Sequence, residues 1–185
     1  MHSPRDTEAQ RRTEQFVSDP ASRNRLPVES KIMVSPIEHC RGDYVVSTDP
    51  ARLDLDMIHG FLTNCYWAKG IPREIVARSI KHSLCFGIYH VSDGQVGFAR
   101  VITDFATIAY LGDVFVLESH RGRGLSKWMM ECILQHPMLQ GLRRWILLTR
   151  DAHQLYAKLG FTPLKSAERY MELHQPDVYE IGKTL

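Results

Sequence analysis

The 185-residue sequence has few cysteines and no long apolar run. Its four cysteines form no C-x-x-C pair and no zinc-like spacing with histidine; they are Cys40, Cys65, Cys85 and Cys132. No stretch approaches the roughly 20 apolar residues that a membrane span needs, and the N-terminus lacks the apolar segment of a signal peptide. We therefore expect reduced thiols, no bound metal, no membrane contact and a cytoplasmic location.

A strong excess of charge is also missing, because the formal net charge is only +2 at pH 7. A nucleic-acid-binding domain typically carries a pronounced basic patch, which this composition does not indicate. Four arginines could still form such a surface, and they are Arg121, Arg123, Arg143 and Arg144. Without a recognised nucleic-acid-binding motif, we expect no nucleic-acid partner.

The chain has enough apolar residues for one core, with 44% of its residues hydrophobic. Residues 1–35 differ from the rest, because they are polar, charged and interrupted by three prolines. Such a segment has little to bury and is typical of a flexible extension. The prediction is an N-terminal extension over residues 1–35 and a single domain over residues 36–185.

The apolar periodicity of the domain predicts a strand, two helices, three strands, a helix, a strand, a helix and a last strand. The three central strands cover residues 84–117, and Ser92-Asp93-Gly94 marks a hairpin turn between the first two. The last helix begins with Asp151 as its N-cap, and residues 169–174 form the last strand. This order predicts an α/β (α+β) fold with a mixed, mostly antiparallel twisted sheet and helices on both faces.

The segment HRGRGLSKWMM, residues 120–130, joins a predicted strand to a helix. Gly122 and Gly124 would allow backbone amides at the helix N-terminus to approach an anion, and Arg121 and Arg123 add positive charge. The motif is neither a Walker A loop nor a dinucleotide-binding fingerprint. Taken alone, it fits either a phosphate-binding loop or a tight turn with solvated arginines.

This segment resembles the pyrophosphate loop of the GNAT family of N-acetyltransferases, which has the form [QR]-x-x-G-x-[GA]. Residues 121–126 match that pattern except at Ser126, where the family has glycine or alanine. Downstream, TRDAHQLYAKLGF resembles the family segment N-x-x-A-x-x-L-Y-x-x-x-G-F, with Thr149 in place of the asparagine. The resemblance covers roughly residues 43–175.

The resemblance implies that acetyl-CoA is the acyl donor and that the chain needs no metal. It places the pyrophosphate on the loop and the first helical turn, which comprise Arg121, Gly122, Arg123, Gly124, Leu125, Ser126 and Lys127. It also implies that the backbone of Val114, Phe115 and Val116 pairs with the pantetheine arm. At Thr149, where the family has a CoA-contacting asparagine, it implies a contact with CoA that is weaker, indirect or absent. Composition alone would make residues 114–116 an ordinary buried strand.

Two residues are candidates for proton transfer. Tyr156 matches the family's general acid, and a phenol is protonated at neutral pH; its helical spacing also fits a core tyrosine. Asp113 interrupts an apolar strand beside Gly112, where the family often has a bulge, and it is the first candidate for the general base. Asp113 also fits a hydrogen-bonded bulge residue, and other candidate bases are Asp104, Glu118 and His120.

By resemblance, the reaction is the direct attack of a primary amine on acetyl-CoA in a ternary complex. The alternative is a non-catalytic module of the same fold that binds or senses acyl-CoA. The acceptor pocket would involve the first two helices and the hairpin, with Tyr66, Trp67, Arg100 and Thr103 as candidates. The expected partners are acetyl-CoA and the amine, and a homodimer is one assembly that the sequence allows.

Overall fold

A six-stranded sheet and four helices make up residues 35–179, the part of the chain that this computed structural model describes. The strands are β1 (Glu38–Arg41), β2 (Tyr44–Ser47), β3 (Leu84–His90), β4 (Gly94–Thr103), β5 (Ile108–Val116) and β6 (Arg144–Leu147). The helices are α1 (Leu55–Leu62), α2 (Arg73–Lys81), α3 (Leu125–Gln135) and α4 (His153–Ala157). Residues 1–34, which hold nearly all of the predicted extension, lie outside the described part.

The strands follow one another across the sheet in the order of the chain. Strands β1 to β5 form four consecutive antiparallel pairs, and short turns connect β1 to β2, β3 to β4 and β4 to β5. Strand β6 is parallel to β5, since α3 returns the chain to the end of the sheet at which β5 begins. The predicted mixed, mostly antiparallel sheet is confirmed.

One face of the sheet is covered by α1 and α2. The core on this side combines helical and strand residues, and its main members are Ile58, Leu62, Val76, Cys85, Phe98 and Phe115. The ring of Phe61 in α1 stacks on Phe115 in β5, with 3.7 Å between ring centroids and 8° between planes. This contact fixes α1 against the strand that carries the predicted pantetheine segment.

The opposite face is covered by α3 and α4. The apolar side of α3 is buried there against strand residues such as Phe86, Ile88 and Val101. The buried residues of α3 are Leu125, Met129, Met130, Cys132 and Ile133. Their spacing places them on one side of the helix, as the sequence predicted. Helices on both faces of the sheet are therefore confirmed.

Local capping explains where the first two helices begin. The carboxylate of Asp54 accepts hydrogen bonds from the backbone N–H groups of Asp56 and Met57, each at 3.0 Å, and so caps α1. Pro72 directly precedes α2, where its fixed φ and missing N–H cost nothing. No helix within residues 35–179 is long and apolar enough to cross a membrane.

The structure differs from the sequence prediction at both ends of the sheet. Strand β1 was not predicted, because it is a four-residue edge strand whose residues are mostly exposed and lack an apolar alternation. The predicted last strand over residues 169–174 is wrong, since no residue from Tyr170 to His174 belongs to a strand. Met171 and Leu173 in that segment are 99% and 92% exposed.

Candidate active site

Strand β5 leaves one of its edges open over its second half. Residues 108–111 pair with residues 144–147 of β6, but β6 then ends, whereas β5 continues to Val116. On its other edge this half still pairs with β4, for example at Phe98 with Phe115. Within residues 35–179, no strand therefore covers the β6 side of residues 113–116. Apart from the Val116 carbonyl, which accepts a hydrogen bond from Arg121, the backbone groups on that side are available to a ligand.

The open half of β5 begins at a bulge. The pairing with β4 shifts between Phe98 and Arg100, and Asp113 has a φ of 54°, in the left-handed region. The sequence predicts a bulge at this point, with Gly112 as its marker, but the positive φ falls on Asp113. Aspartate tolerates this conformation better than most residues because its short side chain can bond locally.

Asp113 forms an ion pair with Arg100 of β4 inside this bulge. The two side chains are only 12% and 18% exposed, and Arg100 also donates a hydrogen bond to the Ser83 hydroxyl at 3.4 Å. The guanidinium therefore engages the carboxylate that was the first candidate for the general base. This geometry favours the alternative that the sequence left open, a structural bulge carboxylate.

We expect Asp113→Asn to lower the free energy of unfolding by about 3 kcal/mol, because it leaves a mostly buried guanidinium without its counter-ion. Urea unfolding of the full chain measures this change. The matched control is Asp56→Asn, which removes a carboxylate from an exposed ion pair with Arg73 and should cost less than about 1 kcal/mol. A fully stable Asp113→Asn variant that has lost turnover would instead support the base.

The glycine loop lies between β5 and α3, as predicted, and residues 121–124 are exposed. Gly122 and Gly124 have φ values of 77° and 74°, so both positions favour glycine. Gly124 is the residue before α3, and no side chain caps the helix there. The first amides of α3 are therefore free of side-chain acceptors in the described structure, which suits an anionic ligand.

The two arginines of the loop are held by different contacts. Arg121 donates from Nε to the Val116 carbonyl at 3.0 Å, which leaves the rest of its guanidinium free to bind a ligand. Arg123 donates to the Tyr44 hydroxyl at 3.2 Å and to the Ser119 carbonyl at 3.4 Å. Lys127, in the first turn of α3, has its ammonium nitrogen 3.5 Å from the Glu131 carboxylate. The loop thus carries three cations at the helix N-terminus.

A buried polar network ties this loop to the sheet. The Tyr44 hydroxyl lies 2.9 Å from Nδ1 of His120, and Nε2 of His120 lies 3.3 Å from the Asp93 carboxylate. His120 is buried, and the turn that holds it directly precedes the glycine loop. His120 was a candidate base, but its two ring nitrogens face Tyr44 and Asp93, and it does not line the cavity described next.

A cavity of about 520 Å³ lies where β5 and β6 separate. Its walls come from the loop after α1, from β4 and β5, and from the segment between β6 and α4. The lining residues include Tyr66, Trp67, Arg100, Tyr110, Gly112, Asp113, Val114, Thr149, Arg150, Asp151 and Tyr156. The cavity thus brings together both predicted catalytic residues, one predicted pantetheine residue and three of the four proposed acceptor-pocket residues.

Tyr156 is the buried residue of the short helix α4, and it is 8% exposed. Its hydroxyl makes no hydrogen bond to any group of residues 35–179, and the residue lines the cavity. Burial is the largest cause that raises the pKa of Tyr156, and together with the neighbouring Tyr66 and Asp151 it brings that pKa to about 12. The phenol therefore stays protonated at neutral pH and is able to donate its proton into the cavity.

Thr149 has a structural contact that the sequence did not predict. Its hydroxyl accepts a hydrogen bond from the Ala152 amide at 3.0 Å, just before α4. The predicted N-cap, Asp151, is wrong, because α4 begins at His153 and no side chain of its N-cap residue bonds to it. Gly160 ends this helix as a C-terminal glycine, since its φ is 91° and Phe161 N–H bonds to the Tyr156 carbonyl at 3.1 Å.

The remaining candidates lie elsewhere. Asp104 closes the turn between β4 and β5 by accepting from the amides of residues 106–108, and hydrogen bonds from Thr107 hold its pKa well below the usual range. Glu118 is exposed in the turn before the glycine loop. Thr103 donates to the Ile108 carbonyl at 2.7 Å and does not line the cavity. None of the three lines the cavity that contains Tyr156.

A second cavity, of about 640 Å³, lies away from these residues. It is bounded by the end of α3, the start of β6 and the chain after α4, and it includes Arg144, Phe161 and Tyr170. Arg144 lies over the Tyr170 ring, 5.6 Å from its centroid. None of the predicted catalytic or cofactor-binding residues lines this space, so the candidate site is the cavity that contains Tyr156.

The candidate site combines an open strand edge, a cationic glycine loop and a protonated phenol. A model of the acetyltransferase (GNAT) domain matches residues 81–163. The "Putative acetyltransferase FG08082" of Gibberella zeae is 36% identical over an alignment 148 residues long, and the match covers 68% of this chain and 82% of that protein. The chain therefore belongs to the GNAT family, as its two motifs predicted.

Solved structures agree with this family. A "putative acetyltransferase belonging to the gnat family" from Xanthomonas campestris pv. campestris is 55% identical, with a TM-score of 0.71, and the match covers 74% of this chain and 96% of that one. A "predicted acetyltransferase with acetyl-CoA" from Clostridium acetobutylicum is 14% identical, with a TM-score of 0.53, over 71% of this chain and 94% of that one. The second likeness shows the fold alone.

Proposed function

We propose that the chain transfers the acetyl group of acetyl-CoA to a primary amine by direct attack in a ternary complex. The observation that carries this proposal is the position of Tyr156. Its hydroxyl is protonated and has no hydrogen-bond partner among the described residues. Tyr156 lines the same cavity as the bulge of β5, and beyond that bulge the β6 side of the strand is unpaired. An acid placed there would face a thioester bound along the strand.

The open half of β5 is suited to the pantetheine arm of the donor. The side chains of Phe115 and Val116 are buried in the clusters on opposite faces of the sheet, and Val114 packs beside them. These side chains stabilise the strand, so the ligand would contact the backbone. Because β6 ends at Leu147, amide groups of Val114 to Val116 have room to bond the arm's own amides.

The glycine loop is suited to the pyrophosphate. Gly122 and Gly124 have positive φ values and no side chain, and the space beside both residues is open. A phosphate can therefore come close to the backbone of the loop. The uncapped N-terminus of α3 supplies amides, while Arg121, Arg123 and Lys127 supply charge. Ser126, the one departure from the family motif, still presents its amide in the first turn of α3.

The reaction that these residues would support needs no protein nucleophile. The acceptor ammonium loses a proton to solvent, and its nitrogen lone pair then attacks the thioester carbonyl carbon. A C–N bond forms and the C–S bond breaks, while Tyr156 gives its proton to the departing thiolate. The second proton lost by the nitrogen restores the phenol through water, so one proton is released overall.

A consumption assay for acetyl-CoA with a panel of amines tests this function. The panel contains polyamines, amino acids, aminoglycosides and peptides with free N-termini, and mass spectrometry identifies the acetylated product. We expect turnover with at least one class of primary amine. Tight binding of acetyl-CoA without turnover of any amine would contradict the proposal and support the non-catalytic acyl-CoA-binding module.

The partners that follow from this proposal are acetyl-CoA and an amine. The acceptor enters from the side of Tyr66 and Trp67, whose rings meet edge to face with centroids 4.9 Å apart. A cytoplasmic location, a homodimer and the absence of a nucleic-acid partner stay predictions from the sequence. A sedimentation measurement on the full chain addresses the homodimer directly.

A further inference from the structure

Two carboxylates line the cavity that contains Tyr156, and they differ in their partners. Asp113 is ion-paired with Arg100, so its charge is balanced within the protein. Asp151 has no cationic side chain within 4.0 Å among residues 35–179. The only carboxylate that remains unneutralised in the described wall of the cavity is therefore Asp151.

Asp151 also has no structural contact that would explain its negative charge. The amide of Ala152 bonds to the Thr149 hydroxyl, and the side chain of Asp151 makes no hydrogen bond within the described residues. The neighbouring Arg150 is held by another group: its guanidinium carbon lies 3.7 Å from the centroid of the Tyr66 ring, and its amide donates to the Tyr66 hydroxyl at 3.3 Å. The carboxylate is left exposed to the cavity.

The position of Asp151 is close to the predicted chemistry. Its negative charge is one of the causes that raise the pKa of Tyr156, after burial and the neighbouring Tyr66. A carboxylate exerts such an effect only when it is near the phenol. The exposed rings of Tyr66 and Trp67 line the same cavity and offer an apolar wall beside the charge.

We infer that Asp151 determines acceptor specificity: its carboxylate binds the ammonium group of amines that are cationic at neutral pH and whose carbon skeleton packs on Tyr66 and Trp67. The inference rests on the proposed function and names the class of acceptor. The ion pair orients the nitrogen towards the thioester, and the ammonium proton leaves to the water that reaches this exposed carboxylate. The rest of the proton balance is as given above.

Binding of two probes of equal shape tests this role without requiring turnover. Calorimetry compares 2-phenylethylamine, a cation, with 2-phenylethanol, which is neutral, on the full chain saturated with CoA. We expect the wild type to bind the amine about tenfold more tightly, because a charge-assisted hydrogen bond is added. Asp151→Asn should abolish that preference and leave the affinity for the alcohol unchanged. Glu172→Gln is the control, since it removes an exposed carboxylate outside the cavity.

Kinetics with an acceptor found in the amine panel give a second readout. In Asp151→Asn, KM for a cationic amine should rise about tenfold while kcat changes less than about threefold, and the melting temperature should stay the same. Equal affinity of the wild type for both probes, or binding of neither, overturns the inference. A lower kcat at constant KM overturns it as well, because Asp151 would then act in the chemical step. If no amine is turned over, the proposed function fails, while the calorimetric preference still decides the role of Asp151.

Discussion

Replacing Tyr156 by phenylalanine is expected to lower the rate of acetyl transfer by about 10²–10⁴-fold while acetyl-CoA affinity stays within about twofold. The substitution removes one phenolic proton and retains the ring, which packs edge to face with Phe161 at a centroid distance of 5.9 Å. The hydroxyl has no hydrogen-bond partner in the described structure, so its loss should leave stability nearly unchanged. Single-turnover acetyl transfer, measured beside calorimetric CoA binding, separates the two effects.

Tyr110→Phe is the matched control for this experiment. Tyr110 lines the same cavity, and burial also raises its pKa, but it lies on the paired half of β5, away from the open edge. We expect its loss to change the chemical rate less than about threefold.

The pKa of Tyr156 is raised to about 12, so the acid form of this phenol persists through the neutral range. Deprotonation of Tyr156 should therefore not lower the rate below about pH 10. An unchanged single-turnover rate in Tyr156→Phe would remove it from the mechanism.

Gly124→Glu is expected to weaken acetyl-CoA binding by at least about a hundredfold. Its carboxylate would stand at the uncapped amides of α3, where it competes with the phosphates for hydrogen bonds and repels their charge. Its backbone would also be strained, because φ at Gly124 is 74°. Isothermal titration calorimetry of the folded variant measures the loss.

The control for this substitution is Gly141→Glu. Gly141 has nearly the same φ, 76°, and equally open surroundings, but it lies in the turn before β6, outside the glycine loop. The same strain and the same charge are introduced there, at a cost of about 1–2 kcal/mol in stability. Acetyl-CoA should bind this control like the wild type. Equal losses in both variants would show that strain, not phosphate repulsion, causes the effect.

Much of the fold could be predicted because its signals are local. The apolar period of α3, the hairpin turn at Gly94 and the left-handed Gly160 each follow from a few neighbouring residues, and the structure contains all three. Strand β1 could not be predicted in this way, because an exposed edge strand depends on its pairing with β2 more than on its own sequence. The tail over residues 169–174 mixes apolar and polar residues as a strand can, yet none of these residues belongs to a strand.

The candidate site was only partly visible in the sequence for a similar reason. The two family motifs identify Tyr156 and the glycine loop, because each motif lies within a short segment of the chain. The pairing of Asp113 with Arg100 depends on the register of two strands across a bulge, and no spacing in the sequence reports that register. The position of Asp151 alone predicts a helix cap. In the structure the Thr149 hydroxyl accepts the hydrogen bond from the Ala152 amide, and Asp151 lines the cavity instead.

The bond between Arg123 and Tyr44 joins residues 79 positions apart in the chain. Ordering a long side chain at a binding surface typically costs about 0.5–1.5 kcal/mol, and here that entropy is lost during folding rather than during binding. The glycine loop therefore meets a phosphate ligand already preorganised on one side, through a buried tyrosine of the second strand. Affinity for that ligand is thus coupled to the folding of the hairpin of β1 and β2, which lies at the opposite edge of the sheet from β6.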